Sequence, residues 1–274
     1  MIKRNYFKVV RVFPDPSDYF YIKNEGYDTG VLYFEEFQER TDIDFKIDNG
    51  SWTNLVNFGS SFIEIQPNSK LYLRGTTGYW KNNDDSGIYF YQNDEWPMSV
   101  GGDLRTLLDY TDVDSITTIP ENCFKSTFQG LKIISIENLT LGSSVTTVGN
   151  NAFHQMFYGV SDITTGLDLS NVTTVGNGAM TYMYYQCTSL QKGSNLSGVT
   201  TVGDYAFNGM YQDCSSLNEA YAPNVSTWNT SNTTNWLVNV ASTGVVYKPA
   251  NLVINTNTDS GVPSGWTTQT YPQA

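Results

Sequence analysis

Basic residues are scarce in this sequence: 15 Lys and Arg stand against 27 Asp and Glu, for a net charge of −12 over 274 residues. Binding a phosphate backbone requires clustered Lys and Arg that displace counterions, so no nucleic-acid partner is expected. Histidine is scarcer still. His154 is the only one, which leaves a Ser/His/Asp or Cys/His nucleophile system one possible base and a zinc site one imidazole. Three cysteines, Cys123, Cys187 and Cys214, cannot all pair and lack close metal-ligand spacing. No stretch approaches the ~18 apolar residues of a membrane-spanning helix. The segment Met1 to Phe13 shows neither the apolar run nor the small-residue cleavage site of a signal peptide. The expectation is therefore no cofactor, no metal, no membrane insertion and no catalysis.

What is present is a Ser/Thr/Asn/Gly-rich chain with 19 Tyr, 14 Phe and 6 Trp, the composition of a β-rich, turn-rich protein with ample apolar area for a core. Residues 1–97 read as short strands. Phe7–Phe13 ends at the Pro14-Asp15-Pro16 turn. Tyr19–Lys23, Gly30–Phe34 and Ile43–Ile47 alternate apolar and polar residues, and Asp48-Asn49-Gly50 supplies a hairpin turn into Ser51-Trp52-Thr53. Phe62–Ile65, Leu71–Leu73 and Ile88–Tyr91 come next. Turns every 8 to 12 residues predict a β-sandwich, assigned to docking and oligomerisation. Lys3, Arg4, Lys8 and Arg11 fit a solvated strand better than a docking patch.

From residue 98 the character changes. Gly101-Gly102 breaks the chain, and Leu104, Leu107 and Leu108 lie on one face of a short helix that would cap a repeat array. Four units then begin at Ile116, Val145, Val172 and Val199, each opening Ile/Val-Thr-Thr-Ile/Val, at spacings of 29, 27 and 27 residues. In every unit positions +7, +8, +11, +12 and +15 are apolar or small: Cys123 or Ala152, Phe124 or Phe153, Phe128 or Tyr184, Leu131 or Cys187, with Thr127 in one unit. That spacing reads as one or two helical turns, then a return strand at +18 to +24. A unit of this size cannot bury its own apolar face, so its neighbours must stack on it. The period fails after Asn224. Thr233 or Thr234 could cap a short helix before Trp236, and Gly244–Tyr247 reads as a closing strand. Residues 98–226 are the expected solenoid and 227–274 its C-terminal cap.

Other chemistry-bearing residues have plainer readings. Cys187 and Cys214 share one repeat position and read as packing groups, which favours assembly in a reducing compartment. His154 reads as a surface polar residue. Asn82–Gly87 is oxygen-rich and could hold Ca²⁺, but a solvated hairpin loop fits better. Asp42, Asp44 and Asp48 share one strand face, and Glu35 and Glu36 point to opposite sides, so no paired-carboxylate glycosidase site is expected. The Asn-x-Ser/Thr triplets at Asn138, Asn171, Asn195, Asn224, Asn229 and Asn232 are read as composition. Tyr158, Tyr182, Tyr185, Tyr79 and Trp80 remain as a candidate sugar- or protein-binding face; covering a neighbouring repeat is an equal reading.

Four stretches carry a resemblance: Ile47–Trp52 with Leu71–Gly75; Gly101–Leu108; the Ala-Phe…Met-Phe and Met-Tyr-Tyr-Gln-Cys-Thr-Ser-Leu190 core with its counterpart ending at Leu217; and Asn235–Val240 with Gly261–Trp266. Over roughly residues 40–270 the chain resembles BspA-like leucine-rich-repeat proteins of the kind found in gut Bacteroidetes and their phages. Thr127 and Val160 stand where that pattern has Met and Cys. The resemblance implies adhesion, host-surface recognition or virion structure, and provides no catalytic residues. The expected fold is α+β and β-rich: a small N-terminal β-sandwich followed by a short capped leucine-rich-repeat-like solenoid of four repeats. The leading functional expectation is a phage virion protein, a tail or head fibre subunit. Its partners would be other virion proteins through the N-terminal domain and a host surface glycan or protein through the solenoid, and it would form a homo-oligomer, taken as a trimer. The alternative is a bacterial cell-surface adhesin.

Overall fold

The computed structural model describes residues 18–34, 43–55, 62–76, 90–92, 95–256 and 258–271. The expected strand Phe7–Phe13 with its basic residues, Glu35 and Glu36, Asp42, Tyr79 and Trp80, and the loop Asn82–Gly87 lie outside the described residues.

Period-two alternation makes the N-terminal strands one-sided. In β6 (Lys70–Gly75) Leu71 and Leu73 are fully buried while Lys70, Tyr72 and Arg74 face outward. With β1 (Tyr21–Asn24), β3 (Ile43–Ile47), β4 (Thr53–Asn54), β8 (Met98–Asp103) and β10 (Ile133–Thr140) it forms a six-stranded sheet of order β10-β8-β1-β6-β3-β4. The hairpin joining β3 to β4 forms where Asp48-Asn49-Gly50 placed it, with Asp48 at φ 46° and Gly50 N–H donating to the Ile47 carbonyl at 2.8 Å. A second sheet pairs β2 (Gly30–Phe34) antiparallel with β5 (Phe62–Ile65) and β7 (Phe90–Gln92). Both sheets contribute to one core. The fully buried Asn24 ties them, its amide donating to the carbonyls of Asp28 and Ile65, both at 2.8 Å.

Strand β8 pairs antiparallel with β1 and parallel with β10. The hydrogen-bonded sheet therefore runs through residue 97 and takes in the first repeat's return strand. A single helical turn, α1 (Thr106–Asp109), comes next, with Leu104, Leu107 and Leu108 buried as their spacing required. Arg105 locks this corner. It makes a bidentate pair with Asp103, Nη2 donating to Oδ2 at 2.6 Å and Nε to Oδ1 at 3.1 Å, and donates to the Val113 carbonyl (3.0 Å) and to Ser144 Oγ (2.7 Å), which in turn donates to the Ile116 carbonyl.

The repeats stack as expected at their Val-Thr-Thr-Val segments. Strands β9 (Thr118–Ile119), β11 (Thr147–Val148), β12 (Thr174–Val175) and β13 (Thr201–Val202) form a parallel ladder of two-residue strands in register. The expected helical turns are replaced by chains of β-turns. In each unit the N–H groups at +9, +11, +13 and +15 close local i→i−3 turns, and those at +7 do so in the first three. In the first three units those at +6, +8, +10, +12 and +14 instead reach a carbonyl of the next rung, as Phe124 does to Ala152 at 2.8 Å. An α-helix would keep every N–H for its own i−4 carbonyl; here half of them bind successive rungs together. All four units have positive φ at +6, +10 and +14, among them Asn122, Ser126 and Gly130 in the first. These are the third residues of alternate turns, where a type II turn needs positive φ. Apolar residues at +7, +8, +11, +12 and +15 keep to this four-residue period, which over nine residues is close to the 3.6 of a helix.

The inward pairs of each turn stack along the solenoid. At +12, Phe128, Phe157, Tyr184 and Tyr211 form a column with ring centroids 5.5–5.6 Å apart, and Phe20 and Phe90 of the N-terminal sheets join it on Phe128. The return backbone of the first unit, β10, finds its partner in β8. In the second and third units the buried phenols serve instead: Leu167 N–H donates to Tyr184 Oη at 2.8 Å and Ser194 N–H to Tyr211 Oη at 2.9 Å. Single bridges join Thr165, Lys192 and Glu219 on this side.

The coil does not stop at residue 226. Phe207, Gly209, Tyr211 and Asp213 donate to the carbonyls of Asn232, Thr234, Trp236 and Val238, so a fifth coil lies on the fourth, starting at Val225. Its return strand β15 (Gly244–Lys248) is the expected closing strand, held in parallel between β14 (Glu219–Tyr221) and β16 (Trp266–Thr270). Thr233 and Thr234 cap no helix. A 3-10 turn at Thr230–Asn232 begins at Asn229, whose side chain accepts from Ser231 N–H. The indole N–H groups of Trp228, Trp236 and Trp266 donate to the carbonyls of Ser260, Gly261 and Ala241 at 2.6–2.8 Å, fastening the last residues over the end of the coil. The fold is β-rich with little helix.

Candidate functional site

Each turn of the ribbon places two residues inward and two outward. The outward columns +10 and +13 run side by side across the four rungs, as Ser126, Gln155, Tyr182 and Gly209 in one and Gln129, Tyr158, Tyr185 and Gln212 in the other. Three of the five sequence candidates thus meet on one face. Tyr158 and Tyr185 stack across adjacent rungs with centroids 4.8 Å apart and planes 22° apart, and Tyr182 stands edge-on to Tyr185 at 5.6 Å and 88°. All three are half-buried. With Gln155 and Gln212 they line an open cavity of about 270 Å³.

The notch depends on residues that hydropathy reading does not mark. Gly209 is at φ +58°, and a Cβ there would strike the Tyr182 ring, so its missing side chain makes the seat on which that ring rests. Tyr182 and Gln155 occupy the positive-φ position of their own turns (φ 53° and 55°), where a non-glycine residue costs energy. Asp213, at +14, interacts with the Tyr185 hydroxyl and raises its pKa above the ordinary value, and it accepts from Asn239 Nδ2 at 2.7 Å. Gln155, Gln212, Gly209 and Asp213 were missed in the sequence; a repeat alignment extended to outward positions would have found them.

The residues that catalysis would need are scattered or already employed. His154 is at +9, half-buried; burial and the nearby Lys125 lower its pKa, partly opposed by a hydrogen bond with Gln155. Cys187 and Cys214 are buried thiols donating to the carbonyls of Phe157 (3.1 Å) and Tyr184 (2.9 Å), and burial pushes both pKa values up. Such thiols pack and do not attack. Asp44 pairs with Arg74 at 3.0 Å, and Asp48 accepts from Lys70 N–H at 2.8 Å. Among the described residues no group of three or more His, Cys, Asp or Glu could hold a metal ion, and no helix is long and apolar enough to cross a membrane.

Residues 108–231 match the BspA type leucine rich repeat region. The match is in six copies. Copies so closely spaced do not share the boundaries of the 27-residue coils, but they cover all four tandem units and the start of the fifth. The BspA-type match begins within α1, leaving the two N-terminal sheets outside it, and it includes every residue that lines the tyrosine notch. No curated protein and no solved structure matches the chain.

Proposed function

We propose that the chain is a non-catalytic recognition module of the adhesive kind, with Tyr158, Tyr182 and Tyr185 as its contact face. The observation that carries this reading is three rings held outward on adjacent rungs by turns with positive φ, in a solenoid whose other repeated aromatics are stacked in the core. Rigid tyrosines lose little entropy on binding and offer both an apolar face and a polar tip. The BspA-type match over the same rungs supports a bacterial cell-surface adhesin better than a virion part. The test is binding to an immobilised panel of host extracellular proteins and surface polysaccharides. At least one should be retained, and Tyr182→Ala with Tyr185→Ala should lose it while thermal stability holds. A ligand retained equally by the double variant contradicts the reading.

One observation favours a second reading, the phage fibre or appendage subunit: no disulfide joins Cys123, Cys187 and Cys214, and all three are buried, which suits assembly in a reducing cytosol. There the N-terminal sheets would dock to other virion proteins as an oligomer, taken as a trimer. Mass spectrometry of purified virions decides it, and absence from particles ends it.

A further inference from the structure

The notch has a charge pattern of its own. On the columns +10, +13 and +14, twelve positions over four rungs, there is no Lys or Arg, and the one formal charge is the carboxylate of Asp213. Two tyrosine rings at 88° form an inner corner beside that carboxylate. The faces of tyrosine rings are electron-rich and attract a cation placed over them. Gln155 and Gln212 line the same cavity with amides that can donate to and accept from peptide groups. The cavity is open to solvent, so a side chain could enter it while its backbone runs along the columns.

Resting on the recognition reading above, we propose that this corner takes the cationic end of a Lys or Arg side chain from an extended segment of a protein partner. Asp213 and the rings of Tyr182 and Tyr185 hold the charge, and the glutamines hold the adjoining backbone. A neutral sugar would use the rings and amides and could donate a hydroxyl to Asp213, but it would offer that carboxylate no opposite charge.

The experiment titrates the full chain, at low salt, with a short lysine-containing peptide and with the same peptide carrying norleucine, which keeps the stem and drops the charge. Binding of the lysine peptide alone supports the proposal. Tyr182→Leu changes no charge and should weaken it about threefold or more, and Asp213→Asn should weaken it and flatten its dependence on salt. Equal binding of both peptides overturns the proposal. So does equal binding of the lysine peptide by wild type and Tyr182→Leu, since that is plain attraction to an acidic protein. A neutral oligosaccharide that displaces nothing but binds at the tyrosines overturns the cation and leaves the recognition reading standing. If no panel member binds either, both readings fail together.

Discussion

At the scale of single residues, the repeat shows which substitutions it tolerates. Position +11 is Met156, Met183 and Met210 in three units but Thr127 in the first. Thr127 is fully buried, and its hydroxyl has no hydrogen-bond partner. A buried unpaired hydroxyl costs about 1–3 kcal/mol, and Val has nearly the same shape without it. Thr127→Val should therefore stabilise the protein by roughly 1 kcal/mol, seen as a higher urea midpoint at unchanged m-value. A lower midpoint would mean that the hydroxyl is satisfied. The cysteines make a second prediction at this scale. Because burial raises the thiol pKa of Cys187 and Cys214, a thiol reagent at neutral pH should label neither in the native protein and both in denaturant.

At the scale of elements, neighbouring rungs are also joined by ion pairs, Lys132–Asp162 and Lys192–Glu219, both at 2.8 Å. The hydrogen bond from Lys132 lowers the Asp162 pKa. Burial pushes Glu219 up, but hydrogen bonds from Lys192 and Tyr221 outweigh it and the net shift is downward. A carboxylate with a lowered folded-state pKa adds stability above its unfolded value, about 4, and that contribution is lost as pH falls through the folded value. Stability should thus decline below about pH 4, and Asp162→Asn with Glu219→Gln should flatten that decline. An unchanged pH profile would show that the pairs are incidental.

The turn ribbon is where sequence and structure part most instructively. The registers, the buried positions and the Leu104/Leu107/Leu108 turn were all legible, because burial pattern is written directly in residue type. The helix was not excluded, because four-residue and 3.6-residue periods diverge by less than one position across residues 123–131. What separates them is the run of Asn122, Ser126 and Gly130 at four-residue spacing, residues that tolerate positive φ. In the third unit the same positions hold Gly178, Tyr182 and Gln186, which hides the signal. The candidate site was half legible. Tyr158, Tyr182 and Tyr185 could be named from their outward phase, but the seat at Gly209 and the charge at Asp213 lie on the next rung and emerge only when the repeats are aligned at their outward positions.

At the scale of the whole molecule, the N-terminal sheets and the solenoid share a strand pair, an aromatic column and one buried ion pair. Arg105 serves β8, α1 and the first rungs together, and its partner Asp103 is buried with it. Removing one member of a buried pair leaves an uncompensated charge and costs about 3–5 kcal/mol. Arg105→Met should cost about that much and separate the unfolding of the sheets from that of the coils, which differential scanning calorimetry would show as two transitions. A single transition with little loss would mean that the strand pair and the aromatic column suffice.

That rigid frame keeps the tyrosine array in place, and recognition by the array is the central claim. It is tested most directly by recording the ring resonances of ¹³C-labelled tyrosine during titration with a ligand found on the binding panel. Of the 19 tyrosines, shifts should be confined to Tyr158, Tyr182, Tyr185 and their immediate neighbours, with the core rings of Tyr184 and Tyr211 unmoved. Shifts elsewhere, with these three unaffected, would contradict it.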